Sequence, residues 1–190
     1  MGFQDETWWS RVAQPRLPTW AADGQPVRLV EQTVARADPD PVALAWYGVV
    51  WRGVDHGKDA IWLRCVDGRP VRDVTTPLLD WCCPQVAARG KTAWLLVWDR
   101  APWHESKAVR TWIRAHNRPV KHGRAPVRIM NCPLPSKSPW LNPIEPHWRH
   151  GKRAVMEPAR LLSGQEVRDR VCASYGCPAE PQLCVSEKAA

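Results

Sequence analysis

The sequence predicts an α/β domain built on a mixed central sheet flanked by helices. Three observations carry this. Candidate elements run from strands to a helix, then strand, helix, strand and helix, the order of an α/β layer architecture. Thr92–Trp98 (TAWLLVW) is apolar at strand length, which suits a central strand buried on both faces. The chain has 190 residues, of which 44% are hydrophobic and 24% charged, enough for one domain with a buried core.

Each element has a local reason. Met1–Trp9 reads as the second half of a strand carrying Asp5. Pro15, Pro18 and the Asp23-Gly24 turn break the chain after it. Val27–Val34 alternates loosely and is expected as a strand. Ala43–Trp51 is rich in β-branched and aromatic residues and predicts a strand. Ile61–Val66 follows as another, closed by Asp67-Gly68. Thr76–Arg89 predicts a helix with Thr76 as N-cap, Pro77 at the first position, a kink at Pro84 and a stop at Gly90. Ser106–His116 predicts a helix capped by Ser106, with Val109, Trp112 and Ile113 on one face.

Val127–Cys132 is a short strand, and Pro133–Pro139 a proline-rich loop. Asn142 and Pro143 are expected to open the next helix as N-cap and first residue, with Glu145 in its first turn. The expected division is a domain over 1–156 and a partly helical tail over 157–190, with Glu166–Val171 its best helical piece.

Charge and composition narrow the function. Lys plus Arg total 27 against 19 for Asp plus Glu, a formal charge of +8 that favours a polyanionic partner. The excess grows downstream of Asp99. No apolar run approaches the roughly 20 residues of a membrane span. The acidic start, Gly2-Phe3-Gln4-Asp5-Glu6, has no apolar signal core, so the expected compartment is the cytoplasm. Seven cysteines, an odd number without a CxxC pair, read as reduced thiols rather than a zinc site. The thirteen tryptophans read mostly as packing residues.

Three carboxylates stand at chemically favourable places. Asp5 lies in the first strand, Asp99 at the C-terminal end of the buried strand, and Glu145 in the first turn of a helix. Ligands of open α/β sheets gather at the carboxyl ends of strands. Hard cations such as Mg²⁺ take carboxylate oxygens there, and two ions about 4 Å apart can activate one oxygen and stabilise another in phosphodiester displacement. The plainer alternative is that each acid is a cap or turn residue.

The stretch Ser138-Pro139-Trp140-Leu141-Asn142-Pro143-Ile144-Glu145-Pro146-His147-Trp148 resembles the signature of mariner-like bacterial insertion-sequence transposases, members of the DDE superfamily endonucleases. Asp99 followed by His104 resembles the family's second motif. Phe3-Gln4-Asp5-Glu6-Thr7, with Thr19-Trp20-Ala21 and Gly24-Gln25-Pro26, resembles the first. The resemblance runs from Phe3 to about Arg153. It implies a ribonuclease-H-like fold and a metal-binding catalytic triad of Asp5, Asp99 and Glu145, holding Mg²⁺ or Mn²⁺, two ions in all. It implies metal-dependent phosphodiester hydrolysis and strand transfer on DNA, at element ends and target. It also implies a helix-turn-helix half encoded separately, since only four residues precede Asp5, and a homodimer as a further partner state.

The sequence departs from the family in two places. Arg100 stands where the family usually has Asn, and extra residues occur around Arg118–Arg128. Two other readings therefore stand beside a working transposase: a catalytically impaired DNA-binding remnant, and another metal-dependent nuclease of the same fold.

Other residues keep two readings each. Glu6 must face away from Asp5 on a strand and is assigned to structure or support. His104 either donates to a DNA phosphate, steadies the Asp99 region, or is an exposed helix-entry residue. Arg149, Lys152 and Arg153 either track DNA phosphates or form a solvated helix face. Lys107, Arg110 and Arg114 have the same two readings, with the solvated face favoured.

Overall fold

Five strands form one sheet in the order β3-β2-β1-β4-β5, seen in a computed structural model that describes residues 1–13, 34–53, 59–66 and 72–183. β1 (Gly2–Ser10), β2 (Ala43–Trp51) and β3 (Ala60–Val66) form an antiparallel meander. β4 (Ala93–Trp98) and β5 (Arg128–Pro133) extend it on the other side of β1 in parallel. This is the mixed sheet of the ribonuclease-H-like fold. β1 is a full strand, paired with β2 from Gly2↔Trp51 to Ser10↔Ala43. The expected strand at Val27–Val34 lies almost wholly outside the described residues.

Helices cover both faces. α1 (Arg72–Ala88) and α2 (Lys107–Val120) bury Val74, Leu78, Leu79, Val109 and Ile113 against Tyr47, Leu96 and Trp98. α3 (Glu145–Val155) and α4 (Gly164–Tyr175) bury Ile144, Trp148, Val167 and Val171 against Phe3, Trp46 and Val97. β2 and β4 thus alternate between two cores, which is why AWLLVW of β4 carries no polar position. Seven tryptophans, among them Trp94, Trp98 and Trp148, are buried as packing residues, while Trp140 is 75% exposed.

Two expectations need correction. α1 begins at Arg72, so Thr76 is not its cap and Pro77 is not its first residue; both Pro77 and Pro84 lie inside the helix. Burial of Val74, Leu78, Leu79 and Val86 on one side outweighs the lost backbone hydrogen bonds. Asn142 does not cap α3, whose N-cap position is held by Ile144. Asn142 is instead buried, donating from Nδ2 to the Gln4 carbonyl at 3.0 Å, so it ties the loop before α3 to β1.

After α3 the described chain runs on to Leu183, with the expected helical piece Glu166–Val171 inside α4. Leu162, Val167, Val171 and Cys172 pack into the α3-side core. Ser163 and Glu166 form a reciprocal capping box at the start of α4, and Gly176 closes it in the left-handed conformation. Ser106, by contrast, caps α2 as expected, accepting from Val109 N.

Both sheet edges are partly covered. On β5, His116 Nε2 pairs with the Val127 carbonyl at 3.0 Å, and the Asn117 amide both donates to the Ile129 carbonyl and accepts from its N–H. On β3, Leu183 N donates to the Cys65 carbonyl and Arg64 to the Pro181 carbonyl.

Candidate active site

The register Phe3↔Val97 between β1 and β4, run on by two residues, sets Asp5 beside Asp99. Side chains alternate along a strand, so Asp5 shares the face of Phe3, and Asp99 that of Val97. Both of those residues belong to the α3-side core. α3 begins on the same side with Glu145, after a loop anchored by Asn142. The structure therefore brings all three predicted carboxylates to one cleft of about 400 Å³. Arg100, Lys137 and Ser138 complete its rim. Among the described residues no three acidic, His or Cys side chains converge tightly enough to enclose a single ion; the carboxylates frame the cleft from its walls.

Asp5 is held by one side chain, and Asp99 by a side chain and a backbone amide. Trp148 Nε1 donates to Asp5 Oδ2 at 2.8 Å. Burial, then the Glu6 charge, pushes the Asp5 pKa up to about 7; the Trp148 bond works against this and Glu145 adds to it. Asp99 Oδ1 accepts from both Ala101 N at 2.9 Å and His104 Nδ1 at 2.8 Å, which leaves Oδ2 to the cleft. The His104 bond holds Asp99 below the usual carboxylate range against partial burial. Anionic oxygen ligands within β1, just past the end of β4 and at the start of α3, one of them already resisting ionisation, form a donor set suited to a hard divalent cation.

His104 is fully buried, stacked on Trp98 at 4.5 Å, with Nε2 2.7 Å from Glu6 Oε1. That rules it out as a phosphate contact and makes it the support of Asp99. Burial works against its charge, but bonds to Asp99 and Glu6 outweigh that and raise its pKa to about 9. Glu6 lies on the opposite face of β1 from Asp5, as the strand period requires, and also accepts from Trp103 Nε1 at 3.1 Å. Sequence reasoning missed that Glu6 and Asp99 share one imidazolium. The signal was present as the Asp-x₄-His spacing together with a second acid after Asp5.

Arg149, Lys152 and Arg153 are exposed on α3 beyond Glu145. Arg100 lies at the cleft mouth, bonded to the Leu134 carbonyl at 3.1 Å and 3.6 Å from Glu105. No helix among the described residues is long and apolar enough to cross a membrane.

Comparison with known proteins bears on the same region. The family model described as DDE superfamily endonuclease matches residues 1–168. No curated protein sequence matches the chain. The Mos1 transposase paired-end complex with left transposon end aligns over 93% of this chain and 48% of its own, at 16% identity and a TM-score of 0.64. The Mos1 mariner paired end complex with Mn gives 16% identity and 0.62 over 93% and 48% of the two chains. The Mos1 strand transfer complex gives 17% and 0.59 over 93% and 47%. The chain thus spans about half the length of those structures, and at these identities the likeness is one of fold. With most of its length matched by the family model, the chain belongs to the DDE superfamily endonucleases.

Proposed function

We propose that this chain is the catalytic domain of a DNA transposase, cleaving phosphodiesters with divalent metal and transferring the cut strand. The observation that carries the proposal is the meeting of Asp5, Asp99 and Glu145, from three distant sequence positions, on one cleft of a family fold shared with transposases. The partner is DNA, at element ends and at the target, and a separately encoded helix-turn-helix half and a second copy of the chain complete the machine. The site of action is the cytoplasm.

Mg²⁺ or Mn²⁺, two ions in the proposal, would polarise the phosphoryl oxygens and lower the pKa of an attacking water. Asp5, Asp99 and Glu145 would hold them. The residues of the chain do the rest. His104 fixes Asp99 through Oδ1, so that Oδ2 points to the cleft. Trp148 holds Asp5 by donating from Nε1 to Oδ2. Arg100 and Lys137 place positive charge on the rim, where a phosphate backbone would lie. Arg149, Lys152 and Arg153 continue that charge along α3.

The decisive experiment is strand nicking of terminal-repeat duplex with Mg²⁺ or Mn²⁺, with the upstream-frame partner supplied. Wild-type protein nicks; Asp5→Asn, Asp99→Asn and Glu145→Gln do not, while keeping the circular dichroism of the wild type. Any one of them that nicks at the wild-type rate leaves the triad. A second reading, DNA binding without cleavage, is favoured by Arg100 at the position the family usually gives to Asn. Arg100→Asn tests it: a gain of nicking from an inactive wild type identifies an impaired remnant. Preference for an RNA–DNA hybrid over terminal-repeat DNA would identify a different nuclease on this fold.

A further inference from the structure

Residues 107–128 contain seven Lys or Arg and no acid. Five of them, Lys107, Arg110, Arg114, Arg118 and Lys121, recur at steps of three or four and so form one stripe along α2. All five are exposed. None has a carboxylate partner among the described residues, although elsewhere Arg52, Arg160 and Arg170 are each paired with an acid. Like charges at such spacing repel one another, so a purely solvated face gains nothing from this arrangement. At its far end the stripe becomes concave: Arg114, Arg118, Lys121 and Arg128, with Asn117, line a pocket of about 340 Å³.

The topology gives the stripe a direction. α2 leaves the end of β4 that bears Asp99 and returns to the start of β5, which is parallel to β4. Lys107 is therefore at the cleft end of the domain and Lys121 at the opposite end. Fourteen residues of helix span about 21 Å, the length of roughly six base pairs.

We infer that the basic face of α2, ending in the Arg114–Arg118–Lys121–Arg128 pocket, is a second docking surface for the phosphate backbone of duplex DNA, separate from the contacts of α3. It uses the reading of the chain as a DNA enzyme only to choose duplex DNA among polyanions. The test is fluorescence anisotropy of a labelled 40-base-pair duplex with the full chain in EDTA, titrated across 50–300 mM NaCl. The triple variant Arg114→Gln, Arg118→Gln, Lys121→Gln is compared with a charge-matched triple elsewhere, Arg36→Gln, Arg89→Gln, Arg168→Gln.

The expected result is at least tenfold weaker binding at 100 mM salt for the α2 triple. Its log–log salt slope should be shallower by about 2 to 3, one unit for each lost phosphate contact. The matched triple should stay within threefold of wild type. An α2 triple with the wild-type slope, or equal losses in both triples, overturns the inference. Wild-type protein that binds through α2 but never nicks DNA leaves this inference standing and removes the proposed activity instead.

Discussion

The two faces of the sheet treat the neighbouring acids of β1 in opposite ways. Asp5 faces α3, where one indole N–H and a second carboxylate are its company, and its pKa rises to about 7. Glu6 faces α2, where His104 and Trp103 both donate to it. One face leaves its acid without a cationic partner at a cleft; the other pairs its acid with a buried imidazole that also positions a third. Residue type is nearly the same in both cases, so the surroundings decide which acid binds and which braces.

The sharpest way to break this comparison is at the cleft. Asp5→Asn, Asp99→Asn or Glu145→Gln should each cost about three orders of magnitude in metal-dependent nicking, measured on supercoiled or end-labelled DNA, with little change in stability. The bracing face should behave in the reverse way. Glu6→Leu leaves the His104 cation buried beside a single acid, and should lower unfolding free energy by about 3 kcal/mol in urea titrations.

Next comes the packing that joins the faces. A Cβ on Gly48 would collide with the Trp148 ring, 2.7 Å from Cζ2, and sit 3.0 Å from Ile144 Cδ1. Gly48→Ala should therefore cost about 2 kcal/mol, visible in thermal melts, and should disturb the Trp148 bond to Asp5.

The pH dependence separates the two acids. Asp5 has a folded pKa above its unfolded value near 3.8, so the folded state holds the extra proton and stability falls as pH rises from about 4 to about 7. His104 gains stability from its raised pKa that is fully present below about 6.5 and is lost as pH rises through about 9. Asp5→Asn should flatten the first slope and Glu6→Gln the second, read as denaturation midpoints from pH 4 to 9. The smallest effect is expected at Ser163→Ala, which removes one side of the α4 capping box for about 1 kcal/mol.

Most of the sheet was legible because its strands carry their own signals. Ala43–Trp51 coincides with β2, and the apolar run before Asp99 is β4. The start of α1 was not legible, since Pro77 looks like an entry residue and only the buried partners of Val74 show that the helix begins earlier. α4 was undervalued because its hydrophobic face is short and gains meaning only against Trp46 and Phe3. At the site, the three carboxylates could be chosen from position and resemblance. The Asp-x₄-His spacing hinted at the Asp99–His104 bond, but the sharing of that ring with Glu6 depends on two strands and a loop arriving at one buried place.

The amide of Asn117 and the ring of His116 have a consequence for assembly. By occupying the outward hydrogen-bonding groups of Val127 and Ile129, they occupy the places where a foreign strand would add itself to β5. Further along the same edge, Pro133 offers no N–H to such a strand. Copies of this domain cannot zip together through β5 without first evicting two side chains, so self-association is steered toward helix faces and loops.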